Sequence, residues 1–118
     1  MRKVVLNSTP IIILRNIGRM DLLKQLYENV YIPYGVYEEV MILAKEINAD
    51  LCIIDDYLAR QLLKSLGLVV SGTLGILVKA KEKGIIKRVK PVVDDMIRKG
   101  FYIDKKLYNE ILNICGEK

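Results

Sequence analysis

Three short apolar runs in this chain stop at polar clusters, and each cluster opens a helical pattern. They are "KVVL" (3–6) before Asn7-Ser8-Thr9, "DLCII" (50–54) before Asp55-Asp56, and "LVV" (68–70) before Ser71-Gly72-Thr73. Strand, polar stop and helix, repeated along a chain, build a mainly parallel α/β sheet. The unbroken apolar run at 50–54 suits a strand buried on both faces. In a parallel sheet all three polar stops fall on one edge, and ligands of such sheets bind in the crevice outside the carboxyl ends of the strands.

The remaining pattern fills in around these units. A helix is expected over 8–18, with Ser8 or Thr9 as cap and Pro10 in its first turn. A second is expected over 21–27, capped by Asp21, before a short strand at 30–32. Val36, Val40, Leu43 and Ile47 recur at helical spacing and predict a helix over 34–48. Further helices are expected over 57–67, 74–84, 91–100 and 104–116. With 118 residues the chain suits one domain, 1–118, with 85–118 as a helical C-terminal extension.

Composition removes whole classes of chemistry. There is no histidine, so Ser-His-Asp triads, Cys-His pairs and His-ligated zinc are excluded. The two cysteines, Cys52 and Cys115, fit no metal motif, and Cys52 in "LCII" reads as a small buried apolar residue. An enzyme built from this chain relies on carboxylates, with a hard metal ion beside them. No apolar run approaches a membrane span of about 20 residues, and the basic N-terminus reaches a polar stop too soon for a signal peptide. A soluble cytoplasmic protein with no membrane partner is expected.

The net charge of +5 is unevenly placed. Lys79, Lys81, Lys83, Lys87, Arg88 and Lys90 face only Glu82 between 79 and 90, which equals the whole excess. A polyanion-binding surface is one reading. A solvated lysine-rich face is the other, and abundant Ile, Lys and Glu also suit a heat-adapted, archaeal or thermophile-like source.

Each polar cluster has a plain reading as a helix cap. The pair Asp55-Asp56 resists it, because one cap needs one carboxylate. Two carboxylates at a strand end, near other oxygen donors, resemble a Mg²⁺ or Mn²⁺ site. Glu38 and Glu39 open the helix that leads into this strand, and either is a candidate to tip into the crevice. For Glu38 a favourable position in the first helical turn is the plainer reading.

Taken in order, "NSTPII", "ADLCIIDDYLAR" and "SGTLGILVKAKEKG" resemble the PIN-domain superfamily, and within it a prokaryotic branch related to VapC-type toxin nucleases. The resemblance implies a three-layer α/β/α fold with a central parallel sheet and an acidic cluster that holds Mg²⁺ or Mn²⁺. It implies phosphodiester hydrolysis, usually of RNA. Asn7 takes the family's first acidic position, Asp55 matches the acid after the central strand with Asp56 beside it, and Thr73 falls at a small polar or acidic position. Glu39 best matches the helical acid. On this resemblance Asn7, Glu39, Asp55, Asp56 and Thr73 are the expected catalytic set. Asp55, Glu39, Asp56 and Asn7 would meet the metal, and the six basic residues of 79–90 would track RNA. Partners expected by analogy are RNA, an antitoxin-like protein and a second copy of the chain in a homodimer.

Two departures stand out. Asn7 is an amide where the family places a carboxylate, which removes one negative charge. "VYEEV" also runs straight into "MILAKE", where the family carries further helices before its helical acid, so a shortened domain is expected. The leading expectation is a metal-dependent ribonuclease, toxin-like in kind. The alternative is a weakened or inactive module that binds RNA or a protein. A nucleotide-binding or response-regulator-like domain is a third class. "SGTLG" lacks the lysine of a phosphate loop, however, and the acid pair comes late in the chain. Any of the seven tyrosines, Tyr27, Tyr31, Tyr34, Tyr37, Tyr57, Tyr102 and Tyr108, is a candidate to stack bases, though packing or rim roles are commoner.

Overall fold

A computed structural model describes residues 3–33 and 37–117, with the side chains of Tyr37 and Glu38 outside the described part. Strands β1 (Lys3–Leu6), β2 (Asn29–Tyr31), β3 (Leu51–Ile53) and β4 (Val70–Ser71) form one sheet in the order β2-β1-β3-β4. Every pairing is parallel. Helices α1 (Ser8–Asn16) and α2 (Asp21–Leu26) connect β1 to β2, α3 (Tyr37–Glu46) leads to β3, and α4 (Tyr57–Ser65) leads to β4. Helices α5 (Thr73–Glu82), α6 (Lys90–Arg98) and α7 (Lys105–Ile114) complete the chain.

The two-residue period of a strand sorts its side chains between two cores. Val4, Leu6, Leu51 and Ile53 point to one face and pack with Leu14, Leu22, Ile76 and Leu77 of α1, α2 and α5. Val5, Cys52 and Ile54 point to the other face and meet Val40 and Ala44 of α3 and Ala59 and Leu63 of α4. The result is the expected α/β/α layering around a sheet that is wholly parallel. Cys52 is buried, and loss of water around it pushes its thiol up to about 11, so it serves as packing. Among the described residues no helix is long and apolar enough to cross a membrane.

The expected elements are all present, and the differences are at their ends. The expected caps Ser8 and Thr9 lie inside α1, whose cap is Asn7, with Oδ1 accepting from the Thr9 N–H at 3.2 Å. Asp21 is the first residue of α2 and caps nothing; Arg19 and Gln25 hold its carboxylate instead. The strand expected at 68–70 forms at Val70–Ser71, because pairing begins where Cys52 meets Val70. Residues 34–36 of the helix expected over 34–48 lie outside the described part.

Within the expected extension 85–118, residues 85–117 are described, and Val89, Val93, Met96, Ile111 and Leu112 pack into the larger core. The extension's anchor is Glu117, whose side chain is 4% exposed. Glu117 accepts from Lys81 Nζ at 2.7 Å and from the backbone N–H groups of Val89 and Lys90 at 2.7 and 3.0 Å. The carboxylate thereby serves the start of α6, where no residue provides a cap of its own. Tyr108 of α7 donates to Asp94 of α6 at 2.6 Å, beside Lys90 at 2.9 Å.

Loss of water alone would push the Glu117 pKa up, but Lys81 and the two backbone donors outweigh it and hold it below its ordinary value of 4.5. A lowered folded pKa means the stabilisation is complete above the unfolded value and disappears as pH falls through the folded one. Glu117→Gln leaves Lys81 without its buried counter-charge and should cost about 3 kcal/mol in urea unfolding at neutral pH. The parent should lose stability below pH 4.5 more steeply than Glu117→Gln. Parallel pH profiles for the two proteins would remove Glu117 as the cause.

Candidate site at the carboxyl edge of the sheet

The chain leaves β1 to one side, towards β2, and later crosses to β3 on the other side. The strand order therefore reverses between β1 and β3, which is where open parallel sheets take their ligands. Asn7 follows β1, and its N–H donates to the Ile53 carbonyl at 3.0 Å, so it lies against the end of β3. Asp55 and Asp56 follow β3, and Thr73 follows β4. Four of the five expected catalytic residues thus share one edge.

The acid pair divides its work between two helices. Asp56 caps the helix that follows it, with Oδ1 accepting from Leu58 and Ala59 N–H at 2.9 and 3.3 Å. Asp55 reaches across to the next strand's exit. Its Oδ1 accepts from the Thr73 N–H at 2.7 Å, and its Oδ2 accepts from the Thr73 hydroxyl at 2.6 Å. Thr73 is 0% exposed. Gly72, at the cap position of α5, offers no side chain to cap with, and Asp55 supplies the carboxylate from another βα unit.

Two glycines make this closeness possible. A Cβ on Gly72 would stand 2.7 Å from Asp55 Oδ1 and 3.2 Å from a terminal guanidinium nitrogen of Arg60. A Cβ on Gly75 would stand 1.9 Å from the Ser71 hydroxyl oxygen. "SGTLG" is therefore a close-packed joint, with Gly72 admitting Asp55 and Gly75 admitting Ser71. Arg60 is fixed by donating to the Ile54 carbonyl at 2.9 Å.

Glu39 is exposed on α3. PIN domains generally work with a divalent metal, and a hard cation wants six or more oxygens, several from carboxylates. Among the described residues no three of Asp, Glu, Cys or His gather as such a group. Asn7 contributes an amide oxygen already used in capping, and both oxygens of Asp55 accept from Thr73. The described donors do not make a cage for Mg²⁺ or Mn²⁺.

The basic stretch lies elsewhere. Helix α5 carries the chain away from this edge at about 1.5 Å per residue, which puts Lys81 roughly 12 Å along the axis from Thr73. Lys81 and Arg88 both pair with Glu117, Lys90 pairs with Asp94, and Lys79 stands near Glu82. Lys83 and Lys87 form no ion pair among the described residues. What the sequence reading missed is a second pair of cations, Arg60 and Lys64, one turn apart on α4. Together with Asp55, Ser71 and Tyr102 they line a cavity of about 500 Å³ at the crevice.

A family model, DUF3368, described as a PIN domain, matches the chain in two stretches, 3–43 and 39–117. No curated protein and no solved structure matches it.

Gly72→Ala should cost about 1–3 kcal/mol by forcing Asp55 and Arg60 apart, and Thr73→Val should cost a similar amount by leaving a carboxylate oxygen unbonded. Urea midpoints at neutral pH test both. A Gly72→Ala protein as stable as the parent would mean the joint is looser than described. The matched stretches span all of the described residues, and the chain belongs to the PIN-domain family.

Proposed function

We propose that this chain is a PIN-type module that binds RNA at the carboxyl edge of its sheet and has lost most of its metal-dependent phosphodiester cleavage. One observation carries the reading: among the described residues no three acids gather around Asp55, so a hard cation there would lack the carboxylates it needs. The two matched stretches overlap at 39–43 and so divide within α3, at "EVMIL". This supports a middle segment shortened where the family places its helical acid. Asn7 removes a further negative charge from the same edge. The net charge of +5 favours a polyanion in either case.

A second reading is a working Mg²⁺- or Mn²⁺-dependent ribonuclease, toxin-like in kind. The placing of Asn7, Asp55 and Asp56 together at the reversal of strand order favours it. An antitoxin-like protein and a second copy of the chain are partners consistent with either reading.

The test is incubation of a labelled mixed-sequence RNA with the parent, Asn7→Asp and Asp55→Asn, in Mn²⁺, Mg²⁺ or EDTA at low salt. Aspartate caps a helix as well as asparagine, so Asn7→Asp keeps the fold. The expected result is RNA binding that weakens with salt. Cleavage by the parent is expected to match the EDTA blank, and Asn7→Asp restores little because it returns a single carboxylate. Metal-dependent cutting by the parent that disappears in Asp55→Asn would establish the second reading instead.

A further inference from the structure

Two cavities flank one short segment at the crevice. The larger, about 500 Å³, lies between α4, the start of α5 and residues 101–111. The smaller, about 310 Å³, runs along α1 from Thr9 to Ile17 and is closed by residues 96–102. Phe101 and Tyr102 line both. Phe101 and Ile103 turn inward and pack on the larger core, and the Phe101 N–H donates to the Met96 carbonyl at 2.9 Å. Tyr102 between them is 84% exposed. An anchored backbone thus holds an aromatic ring in the open at the partition between two hollows.

Tyr34 and the side chain of Tyr37 lie outside the described residues, and the other tyrosines are placed differently. Tyr27 is buried in the core, and Tyr108 is bonded to Asp94. Tyr31 lies on edge strand β2, and Tyr57 lines neither cavity. The larger cavity also holds the cations Arg60 and Lys64 against the single acid Asp55. Asp55 is engaged by Thr73, and neither cation forms an ion pair among the described residues. The Ile54 carbonyl fixes one terminal nitrogen of Arg60, which limits the ordering that an anion would require of it. The Thr73 N–H at the start of α5 is taken by Asp55, and Arg60 and Lys64 are the cations of this cavity open to a phosphate.

We propose, resting on the RNA-binding reading above, that Tyr102 is the stacking platform for an unpaired base of single-stranded RNA, with Arg60 and Lys64 holding the adjacent phosphate. A ring face accepts any base, and cations on the backbone supply affinity without sequence choice. A duplex hides its base faces in its own stack and cannot use Tyr102 in this way. The strand would run along the sheet edge through the larger cavity, past Asp55, with Tyr102 marking the turn into the smaller one.

The test is fluorescence anisotropy with a short fluorescein-labelled single-stranded RNA of mixed sequence, in EDTA at low salt. The proteins are the parent, Tyr102→Ala, Tyr102→Phe, Lys64→Gln and a Lys83→Gln/Lys87→Gln pair, each checked for an unchanged thermal melt. Tyr102→Ala should bind about tenfold more weakly, and Tyr102→Phe should stay within about twofold of the parent, because stacking needs the ring and not the hydroxyl. Lys64→Gln should weaken binding and lower the log–log salt slope by about one. The Lys83/Lys87 pair should change little, and a duplex of the same sequence should bind more weakly. A parent that binds RNA with no loss in Tyr102→Ala would overturn the platform and leave the RNA-binding module standing. Equal losses in Tyr102→Ala and Tyr102→Phe would overturn stacking. A parent that does not bind RNA would overturn both.

Discussion

The bond pair between Asp55 and Thr73 sets the geometry of the crevice. It joins residues 18 apart in sequence, at 2.7 and 2.6 Å, and ties the exit of β3 to the start of α5. Because Asp55 faces α5, Asp56 is left to cap α4. Because Asp55 must approach the α5 backbone, position 72 has no room for a side chain. Thr73 is wholly buried, so its hydroxyl needs a partner inside the protein, and Asp55 is that partner. Removing Asp55 would leave the buried Thr73 hydroxyl without its partner where water cannot easily replace it.

Much of this was legible in the sequence, and the reasons differ by element. The strands and helices were readable because an apolar run buried on both faces and a helical apolar stripe are local patterns. The parallel sheet followed from polar stops recurring before helices. The excess acid in "IIDDY" was visible as an anomaly, but its resolution required knowing that β3 and β4 are neighbours. No local pattern carries that fact. Asn7 was missed as the cap of α1 because Ser8 and Thr9 are equally good capping residues, and only the backbone angle at 7 decides between them. Glu117 was unreadable for a stronger reason. Its partners Lys81, Val89 and Lys90 lie 27 to 36 residues away, and they meet it only once α7 has packed.

Charge shows the same limit of sequence reading. The stretch 79–90 contains the arithmetic excess of positive charge, yet its members are largely engaged close to home. Lys81 and Arg88 surround Glu117, and Lys90 is bonded to Asp94. A cation already paired with a carboxylate offers less to a phosphate, since binding must first replace that partner. Arg60 and Lys64 are two residues in an otherwise unremarkable helix. They border the crevice and face one acid that is itself engaged. Position in the fold, and not density along the chain, decides which charges an incoming polyanion meets first.

The carboxylates at this edge have duties in the fold that do not depend on a metal. An acid that caps a helix stabilises the folded chain by roughly 1 kcal/mol whether or not a metal ever binds. Asp56 does this for α4, and Asp55 does it across the sheet for α5. Asn7 does the same for α1, and an amide oxygen performs that task as well as a carboxylate does. An asparagine at position 7 therefore keeps the helix that begins there capped without placing a charge at this corner of the crevice. Asn7, Asp55 and Asp56 thus each serve the fold itself. Arg60, Lys64 and Tyr102 border the crevice they frame, and on the proposed reading these are the groups an RNA strand would meet first.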